Sequence, residues 1–295
     1  EGAKLAAALL HVHAARTAAL WVSDAKSEVQ LGALKALHTL PQGDGFGGRG
    51  VQVAAGAKLT VAGTVLVFDN RDFGMLVDGP GTVAVLGDGK NPVVVSNTLP
   101  RADGWGGRAV QAQNGAQLTL LHAHLTVAHE AGLTAAGKDT LAVAKGLWVT
   151  HVAPRVVGGT YGRGVVVENR ATLSAEGLTV AGCADAGVFC HDATLIGQDW
   201  TIGHLGGANG LFGRGLVAQG GATVQLTRLR ISGAREVGLF AAAADKTQTV
   251  LHLRDVVVDA TLPESVTPEA GRALELSNGA TAGVHGLVGA GNIGS

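Results

Sequence analysis

Large rings are scarce in this chain. Aromatic residues make up 4% of its 295 positions and methionine occurs once, so any core has to be built from aliphatic side chains and alanine. Cysteine occurs twice, at Cys183 and Cys190, which excludes a disulfide-dense framework. No Cys or His partners stand at ligand spacing around them to suggest a metal. The long uninterrupted apolar run that a transmembrane helix needs is also missing. Charge of one sign is missing too: the net charge is −1 and Lys and Arg never cluster. The electrostatic footprint of a nucleic-acid binder or of a polybasic membrane contact is therefore excluded. The glycine-rich segments lack the Gly-Lys-Ser/Thr that a phosphate-cradling loop needs.

What is present is repetition. Gly-Arg-Gly or Gly-Arg-Ala occurs at 48–50, 107–109, 162–164, 213–215 and 271–273, so arginines 49, 108, 163, 214 and 272 stand 59, 55, 51 and 58 apart. Between Arg49 and Arg108, short alternating runs follow one another: Gly50-Val51-Gln52-Val53, Lys58-Leu59-Thr60-Val61 and Val65-Leu66-Val67. A second round then begins at Gly74-Met75-Leu76-Val77. Period-2 runs of three to five residues, punctuated by Gly, Ala, Asn and Asp, are strand and turn signals. None is long enough for an amphipathic helix, which argues against an alternating α/β fold, and a propeller blade would need four longer antiparallel strands.

Each round consumes about 24 residues, so one period of about 55 holds two rounds and an extra loop. Units that cannot bury their own apolar face must stack on their neighbours. The expectation is an all-β parallel solenoid, one coil per round and roughly ten or eleven coils at about 4.8 Å each. Val51, Val53, Leu59, Val61, Val65 and Val67 are read as inward, and Gln52, Lys58 and Thr60 as outward. Gly2-Ala3-Lys4-Leu5 aligns with Gly56-Ala57-Lys58-Leu59 and Thr39-Leu40-Pro41 with Thr98-Leu99-Pro100. The alanine- and leucine-rich start is thus a degenerate first repeat, and residues 1–295 form one domain. Forty-six glycines suit a fold of many tight turns, and a 46% hydrophobic content set out periodically argues against disorder.

The stretch 50–61, followed by Asn70 and Gly74, resembles the repeats of right-handed parallel β-helix proteins, the superfamily that contains the pectin lyases. The resemblance covers essentially the whole chain and is nearest to repeat-rich secreted or surface proteins of bacteria. It implies a secreted or cell-surface location, and it speaks to fold more than to activity, because many functions use this scaffold. The chain opens at Glu1-Gly2-Ala3 and closes at Ser295 inside repeats, without a leader-like stretch. It is therefore expected to be a segment of a longer polypeptide, or to have ends that dock onto something, another copy included.

Candidate chemistry lies in the loop before each Gly-Arg. Four of the five loops carry an aromatic residue two or three positions ahead of the arginine. The pairs are Phe46 with Arg49, Trp105 with Arg108, Tyr161 with Arg163 and Phe212 with Arg214, while the fifth loop offers Glu269. Rings stack on sugar faces and guanidinium forks grip carboxylates, so such a ladder suits an acidic polysaccharide. The resemblance likewise places polysaccharide beside loops of this kind. Equally, each ring packs its own loop, and each arginine caps carbonyls or pairs with residues such as Asp44 and Asp103. Repetition favours this second reading, because a catalytic centre is normally built once.

Other positions carry weaker signals. Arg16, Arg71 and Arg235, replaced by His129 and Ala184 in the intervening repeats, read as a tolerant surface site. Asn70 and Asn97 read as inward corner residues bonding neighbouring coils. Cys183 and Cys190 read as buried small residues or as a local disulfide. His122-Ala123-His124 could hold a metal in principle, but only two ligands are visible and the turn reads as solvated. The resemblance implies that lyases would use clustered carboxylates with Ca2+, and that hydrolases would use several Asp residues with a nearby His. Asp69, Asp72, His191-Asp192 and Gly203-His204-Leu205-Gly206 are the nearest approaches, and none has evident partners one coil away. No motif requires a cofactor, and Ca2+ is the one ion left open.

The leading expectation is a non-catalytic secreted or surface scaffold or adhesive module, contacting a polysaccharide or surface protein through the aromatic–arginine loops. The alternatives are a pectin-lyase-like lyase or glycoside hydrolase centred on 185–204, and a structural subunit that self-associates end to end into fibres.

Overall fold

The short valine- and leucine-rich runs form strands, and every regular element among the described residues is a strand. The computed structural model describes residues 2–206, 213–244, 247–263 and 271–292. All named strand pairs are parallel, and the chain winds through ten coils as a β-solenoid. One side is a ten-stranded sheet with one strand per coil: Ala18–Ser23, Arg49–Ala54, Phe73–Asp78, Arg108–Gln113, Ala131–Ala136, Arg163–Glu168, Ala186–His191, Arg214–Gln219, Glu236–Ala242 and Gly271–Ser277. The rest of each coil contributes to a thirteen-stranded sheet of longer strands, such as Gln117–His129 and Leu141–Ala153. These long strands turn a corner midway, where His122, Asp199, Arg228 and Asp255 adopt positive φ of 55–60°.

The coils are not equal. Val51 lies opposite Met75, Val110 opposite Leu133, Val165 opposite Val188 and Leu216 opposite Leu239, so the register advances by 24, 23, 23 and 23 over these coils. Over the coils between them, Met75 to Val110, Leu133 to Val165, Val188 to Leu216 and Leu239 to Leu274, it advances by 35, 32, 28 and 35. Short and long coils therefore alternate, in keeping with a period that holds two rounds and an extra loop. Most of the excess is the loop that ends in Gly-Arg; the coil from Met75 to Val110 also carries an insertion at 87–92, facing the short step from Leu120 to Ala123 on the next coil.

Lys4 pairs with Glu28 and Glu28 with Lys58, which places the degenerate first repeat in phase with the second. The inward rows are as expected: Val51, Val53, Leu59, Val61, Val65 and Val67 are all buried, while Lys58 and Thr60 face solvent. One inward row reads Leu147, Leu178, Trp200, Leu229, Val256, each opposite the next. Trp200 is the largest fully buried side chain, and its indole N–H donates to the Ala175 carbonyl (3.0 Å). Room for it comes from Gly197, where an added Cβ would stand 2.4 Å from the indole nitrogen.

Asn70 is fully buried, accepting from the Thr39 N–H and donating to the Ala36 carbonyl, and so ties two coils together. Asn292 makes the same pair of bonds to Thr261 and Val258. Asn97 also joins two coils, but it does so from the surface and not from the inward position expected of it. It stands one residue before Thr98, the residue opposite Asn70, and its amide reaches sideways to the Asp69 carboxylate. Cys183 and Cys190 are buried free thiols, so no local disulfide joins them, and burial pushes both up to about 12.

Candidate functional site

Each Gly-Arg is fixed by backbone geometry before its side chain does anything. Gly48, Gly107, Gly162 and Gly213 have φ of 88–92°, the left-handed region that glycine enters without a Cβ clash. An added Cβ at Gly48, Gly107 or Gly162 would also stand 2.8–2.9 Å from the side chain of Arg71, His129 or Ala184. The N–H groups of Gly107 and Arg108 both donate to the Asp72 carbonyl, those of Gly162 and Arg163 to Glu130, and those of Gly213 and Arg214 to Asp185.

The side chains of those same acidic residues bind the arginine of the coil before. Arg49 Nε donates to Asp72 (3.0 Å), Arg108 Nε to Glu130 (2.8 Å) and Arg163 Nε to Asp185 (2.5 Å). Arg214 makes a two-pronged contact with Glu236 (2.6 and 2.6 Å). Long coils supply the arginine and short coils the acid, so a single-file ladder of alternating charge runs along the edge of the ten-stranded sheet. Arg272 pairs within its own strand, with Glu275 (2.8 Å). The expected partners Asp44 and Asp103 serve otherwise. They accept the backbone N–H of Phe46 (3.0 Å) and Trp105 (3.1 Å) and so shape the loops, and Asp103 holds Arg101. The partners stand one short coil on, 22 or 23 residues after each of the four arginines.

Of the three described rings, Tyr161 meets its expected Arg163, whereas Phe46 and Trp105 are placed differently from their expected pairing. Phe46 lies under Arg101, an arginine of the next loop (5.1 Å to the ring centroid), and Trp105 lies under Arg155 of the loop after it (3.8 Å). Tyr161 sits between Arg155 (4.2 Å) and Arg163 (4.7 Å), and Arg163 covers Phe189 (3.7 Å). Cation–π contacts therefore link successive loops. Phe212 lies outside the described residues, as does Glu269. Phe46, Trp105 and Tyr161 keep 49%, 44% and 36% of their surface exposed.

Two carboxylates of the ladder are deeply buried. Glu130 is held by Arg108 and by the largely buried Arg155. Asp72 is held by Arg49, with Arg101 at 3.8 Å. Burial pushes the Asp72 carboxyl above the ordinary carboxylate value, outweighing the pull of Arg49, Arg101 and Arg108. On the outer face of the sheet beside the ladder, Val166, Phe189, Val217 and Phe240 form a second apolar strip, with Arg163 over Phe189 and Arg214 over Phe240 (4.9 Å).

Arg16 and Arg71, expected to be tolerant surface residues, donate to the carbonyls of Pro41 (3.1 Å) and Pro100 (2.9 Å). His129 Nδ1 lies 3.2 Å from the Pro154 carbonyl in the same way. They fasten the base of the next loop, and an imidazole does this as well as a guanidinium. Among the residues nearest to a catalytic set, Asp69 contacts His38 and Asn97, Asp72 belongs to the ladder, and His191 lies parallel to the Phe189 ring (6.4 Å). His122 and His124 are half-buried rather than solvated, because Trp148 stacks on His124 (4.7 Å, 13°) and also meets His122 (5.6 Å). Among the described residues no group of three or more His, Cys, Asp or Glu side chains converges as a metal site, and no helix is long and apolar enough to cross a membrane.

Fold and ladder together define a parallel β-solenoid repeat protein. No protein-family model, curated protein or solved structure matches the chain.

Proposed function

We propose that the chain is a non-catalytic scaffold module, a stiff rod of ten coils that holds other groups at fixed spacing outside the cell or on its surface. With coils about 4.8 Å apart the rod is on the order of 45–50 Å long. One observation carries this reading: the repeated arginines, the most ligand-like feature of the sequence, each have a carboxylate partner, and four of the five find it on the next coil. A guanidinium whose fork is already filled from inside is spent on stiffness rather than on a ligand. The loops that accompany it are tied to one another by ring–guanidinium contacts.

A second, adhesive reading is supported by the exposure of Phe46, Trp105 and Tyr161 along one edge, which suits stacking on a glycan. One paired experiment separates the two: binding of the intact chain to a broad glycan array with and without Ca2+, alongside unfolding midpoints for Trp105→Ala and Arg108→Gln. A silent array with both midpoints lowered carries the scaffold reading. Binding of an acidic polysaccharide that Trp105→Ala abolishes at an unchanged midpoint would put the adhesive reading in its place.

A further inference from the structure

At the corner of the thirteen-stranded sheet nearest the first coils, four side chains from successive strands form a chain of contacts away from the ladder. The Asn97 amide donates to Asp69, the Asp69 carboxylate lies 2.9 Å from His38 Nδ1, and the His38 ring stands 5.0 Å from that of His13, at 69°. His38, Asp69 and Asn97 have φ of 55°, 54° and 52°, the same corner position on three successive coils. His13 immediately precedes Ala14, which has φ of 56°. The His38 side chain is 51% exposed and His13 lies on the surface of the strand Lys4–His13.

We propose that His13 and His38 form a two-imidazole site for a divalent transition ion of the zinc class, with Asp69 as the residue that orients His38. A carboxylate that accepts from the Nδ1–H of a histidine favours the tautomer whose Nε2 lone pair is free to bind a metal. Metal-binding histidines are commonly held in this way by an outer partner. The ring separation fits: with metal–nitrogen bonds of about 2.0–2.1 Å, and each nitrogen about 1.1 Å from its ring centre, two imidazoles on a tetrahedral ion have centroids about 5 Å apart. Imidazole ligands select zinc, copper and nickel over calcium or magnesium. Among the described residues no further His, Cys, Asp or Glu completes a three-ligand set, so the proposed site has two protein ligands. The other close pair of histidines is less suited. His122 Nδ1 is buried without a partner and Trp148 covers the face of His124, while no carboxylate orients either ring.

The test uses the intact chain carrying His122→Ala and His124→Ala, titrated with Zn2+ alone by calorimetry and followed through the histidine side-chain 15N resonances. The expected result is one Zn2+ per chain, with the 15N signals of His13 and His38 moving together. Affinity should fall more than tenfold in His13→Ala and in His38→Asn, the latter chosen because asparagine tolerates the left-handed backbone at 38. Asp69→Asn should weaken binding by roughly tenfold without removing it. Zn2+ binding that survives both histidine substitutions, or no binding at up to millimolar Zn2+, would overturn the site. An unchanged affinity in Asp69→Asn would overturn the orienting role.

Discussion

At the scale of single residues, the ladder sets burial against charge. Glu130 is 2% exposed and holds Arg108 and Arg155, themselves 27% and 9% exposed. Removing one partner of a buried pair leaves the others uncompensated, at a cost of about 3–5 kcal/mol. Glu130→Gln should therefore lower the unfolding free energy, read from denaturant curves, by an amount in that range, toward its lower end because Arg108 reaches solvent. Lys145→Ala, which breaks the exposed pair with Glu176, should leave the midpoint unchanged. Equal effects from the two substitutions would mean that the ladder is no more than surface decoration. The carboxylates also titrate in a defined order. Asp72 is raised by burial, whereas Asp88, accepting the N–H groups of Asn91 and Lys90 (2.8 Å each), is lowered to about 2. A lowered carboxyl contributes stability that is present above its ordinary value and lost as pH falls toward about 2. A raised one opposes stability once pH exceeds its ordinary value, and that opposition is relieved as pH falls through its raised value. Carbon-detected titration should find Asp72 protonating well before Asp88 on acidification, and the reverse order would remove the claim that burial dominates at Asp72.

At the scale of the strand, the row Leu178, Trp200, Leu229 shows how one large side chain is accommodated in a narrow solenoid. Gly197→Ala would push a methyl group into the indole, and overpacking of this kind typically costs about 1–3 kcal/mol. Trp200→Leu should largely restore the midpoint of Gly197→Ala, since leucine matches its neighbours in the row. Additive losses in the double variant would show that the glycine serves the backbone and not the ring. Much of this level is legible in the sequence. The alternating runs give the inward valines, the parallel coils and the phase of the degenerate start, because period-2 patterning reports burial directly. The partners across coils are harder to see. Asp72, Glu130, Asp185 and Glu236 fall 22 or 23 residues beyond their arginines. That spacing means nothing until the length of the short coil is known. Phe46 and Trp105 read as partners of the arginines in their own loops for the same reason: local spacing says nothing about which loop lies above. The pairing of His13 with His38 and Asp69 leaves no local signal either, because three coils supply its members.

At the scale of the whole molecule, a solenoid has no single core, so a defect should spread only to neighbouring coils. The ladder sharpens this expectation into a direction. Glu130 accepts Arg108 from the coil before it and Arg155 from the loop after it, and its carbonyl receives the N–H groups of Gly162 and Arg163. Loosening it should release the loops at 100–107 and 154–162 together, although they lie on different coils and far apart in sequence. Three coils beyond the strand that carries Arg163, the strand Glu236–Ala242 shares no ladder contact with Glu130 and should not respond. Native-state hydrogen exchange on Glu130→Gln reads this pattern, since amide protection reports local opening segment by segment. Faster exchange confined to the two loops and their flanking strands would show that the charges join the coils as a chain of nearest neighbours. Uniform acceleration along all ten coils would mean instead that the rod opens as one cooperative unit, with the ladder contributing only to its total stability.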